Sequence, residues 1–280
     1  MSNPKISIVV VSLDNPEYFN LLMEGLAQNT RSSFEVLLHI NVPYHSDEWR
    51  DVCTPWMQHG VLTGITVSKN NLGAFVPANT LFKSAKGEYF TFLDDDVYPS
   101  PGWDEALLKK VNPNIKCQYL SPTLFQPDEN GPIYRKRGSR TATPEDVYNL
   151  ASFGDDIDAF DTTVFNAQWE DARNVLEDSQ GVCGDFFMSA ALWNALNGYD
   201  ETFAYKGADI DLKAKVWQLG MTKYNGVYEY HAVADSCLYH FAHVAHTKVG
   251  FEDMKVSWTD LFQQKWGMTV TEFWQKAFGK

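Results

Sequence analysis

The chain has 280 residues, 44% of them hydrophobic and 14% aromatic, enough for a continuous buried core and incompatible with disorder over most of its length. A formal net charge of −13 repels polyanions and argues against bulk binding to nucleic acid or an anionic membrane. Cys53, Cys117, Cys183 and Cys237 are widely separated and form no Cys-x-x-Cys pair, which argues against a structural zinc site or a disulfide framework and makes a reducing cytoplasm the expected compartment.

Ile6–Val11 is a β-branched run, too short to span a bilayer, and reads as a buried parallel strand. No later stretch reaches the ~18 apolar residues of a membrane span, so the chain is expected to be soluble. After a turn at Asp14-Asn15-Pro16, Asn15 can cap and Pro16 can open a helix whose Tyr18, Phe19, Leu21, Leu22 and Leu26 share a face. Phe34–Ile40 reads as a second strand, closing a βαβ unit. A second cycle follows, with a strand at Gly64–Ser68, a turn through Asn70–Gly73, a helix from Pro77 to Ala85 and a strand at Glu88–Leu93. Strands alternating with helices predict an α/β fold: a Rossmann-like, mostly parallel central sheet with helices on both faces.

The middle of the chain shows no regular period. Gln126–Arg140 is rich in Pro, Gly and Arg, and residues 131–140 carry Arg135, Lys136, Arg137 and Arg140 with no acid. Glu145–Asp178 holds ten acids against the single Arg173. A long irregular segment of this kind reads as a lid or binding loop. Gly181–Met188 is again strand-like, and a helix follows from Ser189 to Asn197. Gly207-Ala-Asp-Ile-Asp-Leu212 opens another helix, and aromatic helical pieces surround Trp258–Trp266 and Thr271–Phe278.

Asp94, Asp95 and Asp96 stand directly after the apolar strand ending at Leu93. In open α/β sheets ligands bind beyond the carboxyl ends of the strands, which is where these acids fall. Adjacent carboxylates raise one another's pKa unless a cation neutralises them, and hard oxygen ligands suit Mg²⁺ or Mn²⁺ bridging to substrate phosphates.

The set Asn71-Leu-Gly73, Asn79 and Ala85-Lys-Gly-Glu-Tyr-Phe-Thr-Phe-Leu-Asp-Asp-Asp96 resembles the inverting glycosyltransferases of family 2, which have a GT-A fold. A second half of the likeness lies in Asn197-Gly-Tyr-Asp-Glu201 and Gly207-Ala-Asp-Ile-Asp-Leu212, similar to the family's Gly-Gly-Phe-Asp-Glu and Gly-Glu-Asp-x-Asp-Leu. Both halves occur in the family's order, over residues 6–105 and 181–247. The resemblance implies that Asp94 and Asp96 end an Asp-x-Asp motif around Asp95, with Asp96 on the metal and Asp94 nearer the nucleotide ribose. It implies Asp209 as general base on the acceptor hydroxyl, a role that the start of a helix favours by stabilising the ionised form. It also makes His240, in Tyr239-His-Phe-Ala-His243, the first candidate for a second metal ligand or a diphosphate contact. His231, His240, His243 and His246 lie within sixteen residues but offer no pair with reliable zinc-ligand spacing.

Two departures from the family stand out. Ala208 replaces the usual Glu, which removes an acceptor-orienting contact and leaves Asp209 alone. Asn41 ends the second strand where the family commonly has an Asp on the uracil or ribose. Asp14 can reach the base or cap the first helix. Asn71 joins the nucleotide set through its motif, and Arg137 does so through the basic segment. That segment can close over a diphosphate or contact an anionic acceptor such as a lipid phosphate or DNA.

The sequence therefore predicts a GT-A glycosyltransferase domain over 1–250, with a nucleotide-binding half (1–105), a variable insertion (106–180) and a catalytic half (181–250), then a helical extension over 251–280. The expected activity is metal-dependent, inverting transfer from a nucleoside diphosphate sugar, UDP-linked by expectation, to a hydroxyl of a glycan, lipid-linked or other acceptor. The alternatives are a nucleotidyltransferase, which usually has a Gly-rich basic phosphate loop that Val11–Pro16 lacks, or a non-catalytic nucleotide- or carbohydrate-binding protein.

Overall fold

In a computed structural model, residues 3–41, 47–128, 131–137, 156–172, 178–180, 182–203, 205–241 and 257–279 are described. The N-terminal half is built of parallel strands joined by helices. β1 (Ile6–Ser12) leads into α1 (Pro16–Asn29), β2 (Phe34–Ile40), α2 (Asp47–Gln58), β3 (Leu62–Val67), α3 (Phe75–Phe82) and β4 (Tyr89–Leu93). Pro16 does open α1, but Asn15 makes no side-chain cap; its amide is turned to Asp95 instead. The sequence reading missed α2, whose Pro55 lies inside the helix. Its signal was the i, i+4 pair Trp49 and Cys53, both buried.

β5 (Val97–Pro99) and α4 (Trp103–Lys110) follow, then β6 (Gln118–Asp128), β7 (Gly131–Arg137) and α5 (Thr162–Ala172). The stretch expected to be irregular, Gln126–Arg140, is thus in part a strand pair, with Leu124 opposite Arg137. No local period announces it because its partners are non-local: β6 pairs along most of its length with β9 (Glu229–His240). The strand-like run 181–188 shrinks to β8 (Phe187–Ser189), which leads into α6 (Ala190–Leu196) and, after a 3₁₀ turn at Glu201–Phe203, α7 (Ala208–Lys223). The final helices are α8 (Trp258–Trp266) and α9 (Val270–Phe278).

All the strands join one mostly parallel sheet, ordered β3-β2-β1-β4-β8-β6-β9-β5, with β7 on β6. β8, β5 and β7 enter antiparallel. The period-2 alternation of β1 sends Ile8 and Val10 to a core with α1, α2 and α4, and Val9 to one with α3, α6 and α7. Phe262 of α8 and Phe273 of α9 are fully buried in that second core, so the C-terminal helices pack on the same sheet as the helix bearing Asp209. They close against it at Gly207, whose φ of +86° and whose contact with the Trp258 ring leave no room for a side chain: a Cβ would lie 2.5 Å from that ring.

Candidate active site

β4 runs straight, buried, to Leu93, and the chain then turns through the three acids into β5. The short antiparallel pairing of β5 with β9 sets Val97 opposite His240, and the Phe241 amide donates to the Asp96 carbonyl at 3.0 Å. That register carries the His240 imidazole to the acids. Its Nε2 is 3.3 Å from Asp96 Oδ1 and 4.0 Å from Asp94 Oδ2. One ligand atom from each of Asp94, Asp96 and His240 falls within 4.8 Å of the others. Asp94 faces outward with 49% of its side chain accessible, whereas Asp96 keeps 6%.

Asp95 points the other way. Its carboxylate accepts hydrogen bonds from the Ser12 hydroxyl and, at 3.1 Å, from Asn15 Nδ2, which locks the acid turn to the end of β1. Asp185, absent from the sequence reading, is the fourth acid. It is 2% exposed, and its Oδ1 accepts the Asp94 amide at 3.2 Å. Its only sequence signal was a lone acid inside the apolar run Val182–Met188.

The electrostatics follow from this crowding. Although the Asp94 side chain opens outward, partial burial in the turn and then the Asp185 charge hold its carboxyl above the usual carboxylate range. Burial followed by the Asp96 charge lifts Asp95 to about 7, and burial raises Asp185 too. Burial disfavours a charged His240, but the Asp96 hydrogen bond and the charges of Asp96, Asp94 and Asp185 outweigh it and raise the imidazole to about 9. Asp94, Asp96 and Asp185 thus share one imidazole among the described residues, a surplus of negative charge that a divalent cation would neutralise. Two carboxylates and an imidazole form a donor set that fits Mn²⁺ or Mg²⁺.

Asp209 lies in the first turn of α7, 27% accessible. A Cβ on Gly184 would lie 3.9 Å from its side chain, so the segment carrying Asp185 runs between Asp209 and the acid cluster. Asp209 is not alone as the sequence suggested: Lys213 Nζ is 3.1 Å from its Oδ2. Asp211, two residues on, faces away and is fully buried, held by Trp266 Nε1 at 2.8 Å and Lys265 Nζ at 2.7 Å.

Asn41, Asn71 and Asp14 are held within the turns that follow β2, β3 and β1. Asn41 is buried, with its Nδ2 donating to the Gly73 carbonyl and its Oδ1 accepting from the Leu72 amide, both at 2.9 Å. Asn71 Oδ1 accepts the Gly73 amide at 2.9 Å, and its carbonyl accepts the Tyr205 hydroxyl at 3.1 Å. Asp14, at a φ of +58°, accepts from Trp49 Nε1 at 3.4 Å. Arg137 stands on β7, while its side chain, like His243, His246 and the rest of 138–140, lies outside the described residues.

A mostly parallel sheet whose strand exits carry an acid cluster, with a helix-borne aspartate across from it, fits the GT-A fold that the sequence resemblance implies. The comparisons agree. The profile of glycosyl transferase family 2 matches residues 7–161, more than half of the chain, and the chain belongs to that family. An uncharacterized glycosyltransferase of Methanocaldococcus jannaschii is 23% identical over 49% of this chain and 47% of its own length. One of Haemophilus influenzae is 34% identical over 41% of this chain and 37% of its own. The chain therefore matches less than half the length of each. Among solved structures, GalNAc-T7 with UDP, GalNAc and Mn²⁺ superposes with a TM-score of 0.56 at 15% identity, over 85% of this chain and 44% of that one. S. aureus TarS 1–349 does so with a TM-score of 0.53 at 16% identity, over 84% and 60%.

Proposed function

We propose that this glycosyltransferase transfers a sugar from a UDP-sugar to an acceptor hydroxyl with inversion, and that it requires Mn²⁺ or Mg²⁺. The observation that carries the reading is the convergence of Asp94, Asp96 and His240 beyond the strand ends, across the Gly184–Asp185 segment from a partly exposed Asp209. Asp94, Asp96 and His240 would hold the cation, which when bound neutralises the charge that develops on the departing diphosphate. Asn41 and Asp95 organise the turns around the nucleotide: Asn41 clamps the 71–73 turn, and Asp95 ties the acid turn to β1. Asp14, Asn71 and Arg137 complete the nucleotide side in this reading.

Asp209 accepts the acceptor's hydroxyl proton as that oxygen bonds to the anomeric carbon and the sugar–diphosphate bond breaks, its electron pair leaving with UDP. Attack from the face opposite the leaving group gives inversion. Relatives solved with UDP, or with UDP, GalNAc and Mn²⁺, support the choice of donor. Glycan or lipid-linked hydroxyls are the acceptor classes in view. No described helix is long and apolar enough to cross a membrane, and four buried free cysteines support placing the reaction in the cytoplasm.

The test is calorimetry of UDP with Mn²⁺ or with EDTA, on the native protein and on Asp96→Ala. Binding is expected to weaken about 10–100-fold on chelation or substitution, and equal affinity in all four arms overturns the metal role. Proton NMR of the product's anomeric linkage then decides inversion.

A further inference from the structure

We propose that Lys213 is a positioning residue for Asp209, tying down one carboxylate oxygen so that the other is presented to the acceptor. The proposal rests on the reading of Asp209 as general base. The Lys213 side chain is 2% accessible, while that of Asp209, which its ammonium contacts through Oδ2, is 27% accessible. The pair is therefore one-sided, with a dry cation behind and a carboxylate reaching the cleft. Among the described residues Asp209 is the one carboxylate within ion-pair distance of Lys213, and Oδ1 of Asp209 has no hydrogen-bond partner there.

Two aromatic rings enclose the ammonium. It lies 5.7 Å from the centroid of Tyr119 and 5.9 Å from that of Trp274 on α9. Cation–π contacts of this kind partly replace the water a buried ammonium has lost, and they hold Nζ where it meets Oδ2. The C-terminal helix thus fixes a lysine that fixes the base. The neighbour that could have oriented Asp209 does not, since Ala208 is fully buried in the core and offers no polar atom.

An i, i+4 pair could serve helix stability alone, but α7 already has a pair for that purpose. Lys215 lies 3.7 Å from Asp211, whose side chain is fully buried. Lys213 by contrast is spent on a carboxylate that stays open to substrate. In the reaction Lys213 keeps its protons. The acceptor's proton goes to Oδ1 as the new glycosidic bond forms, and the ammonium at Oδ2 keeps the carboxylate from rotating away.

The experiment measures UDP release from the fastest-turned-over of UDP-glucose, UDP-galactose, UDP-GlcNAc and UDP-GalNAc, with water as acceptor and Mn²⁺ present. It compares the native protein, Lys213→Met, Lys213→Gln, Asp209→Asn and the double variant Lys213→Met with Asp209→Asn. Lys213→Met, of similar volume, is expected to keep donor KM and the Mn²⁺-dependent affinity for UDP while kcat falls about 10–100-fold. Lys213→Gln, which keeps a donor, is expected to recover part of that loss, and it carries the test if the Met variant fails to fold. The double variant should be no slower than Asp209→Asn, because the lysine acts only through the aspartate. A crystal structure of the stable Lys213 variant should show the Asp209 carboxylate rotated from its present position. Native kcat in a folded Lys213 variant, or losses that multiply in the double variant, overturns the proposal while Asp209→Asn stays slow. An active Asp209→Asn, or no turnover of any UDP-hexose, overturns the underlying reading of base or donor instead.

Discussion

Two acidic clusters in this molecule, each with aspartates close in sequence, meet opposite fates. Asp209 and Asp211 on α7 are matched from within, by Lys213 for the first and by Lys215, Lys265 and the Trp266 indole for the second. Asp94, Asp96 and Asp185, beyond the end of the central strand β4, have His240 as their one cationic partner among the described residues, with the Asp94 amide on Asp185. A cluster that the fold neutralises itself reads as structure, or as a base held ready. One that it leaves in negative excess reads as a cation site. Spacing alone does not separate them, since both are Asp-x-Asp.

The most severe challenge to that contrast is Asp209→Asn. Turnover is expected to fall by about 10²–10⁴, the usual contribution of a positioned general base, with UDP affinity in Mn²⁺ preserved within severalfold. Parallel calorimetry and rate measurements check it, and a variant keeping a tenth of native kcat would remove Asp209 from the chemistry.

Asp211→Ala probes the internally matched acid. It removes the buried acceptor of the Trp266 indole and the partner of Lys215, and leaves Lys265 with Asp200 alone, which should cost about 3 kcal/mol. Denaturant unfolding should register that loss, whereas Mn²⁺-dependent UDP binding by the folded fraction stays native. A selective loss of binding without a loss of stability would erase the distinction between the clusters.

Asp185 sharpens the other side. Its carboxylate holds the Asp94 amide, so Asp185→Ala should loosen the acid turn and weaken Mn²⁺ binding about 10–100-fold, as loss of a supporting partner does. Asp185→Asn retains an oxygen for that amide and should lie closer to native. Titration of Mn²⁺ by electron paramagnetic resonance gives both constants. Identical losses in the two variants would mean that its charge matters and its hydrogen bond does not.

The smallest expected effect lies in the seam between the segment ahead of the Glu201–Phe203 turn and α8. Burial alone would raise the Asp200 carboxyl, but hydrogen bonds from Lys265 and Thr202 prevail and lower it to about 2. A folded-state pKa below the unfolded value near 3.9 gives stability that is present above that value and fades as pH falls toward about 2. Asp200→Asn should therefore lower stability by roughly 1–2 kcal/mol near neutral pH, a fall of about 2–4 °C in Tm per kcal/mol, with the gap to native closing through pH 4 to 2. A gap independent of pH would assign the effect to packing and not to the Asp200–Lys265 pair.

Much of the first hundred residues was legible because their signals are local. The β-branched run of β1, the proline opening α1 and the apolar strand ending in Asp94 each announce their structure within one window of sequence. Asp96 and Asp209 were singled out differently, through the resemblance that two short motif segments carry to family 2. The middle of the chain was misread because β6 and β7 owe their form to strands elsewhere: a run rich in Pro, Gly and Arg becomes sheet when Leu124 finds both Arg137 and Leu238.

By itself the sequence determined the α/β class, the N-terminal elements other than α2, the acid triplet at a strand exit and the helix opened by Gly207–Leu212, since hydrophobic period and helix-start chemistry act over a few residues. Only the tertiary structure decided which acids gain partners. Val97 pairs with His240 across 143 positions of chain, Asp185 reaches Asp94 across 91, and Trp274 closes over Lys213 from the last helix. Such pairings depend on sheet register and on the packing of distant elements, where the free energy of a contact is shared among many residues and leaves no mark on the spacing of any two.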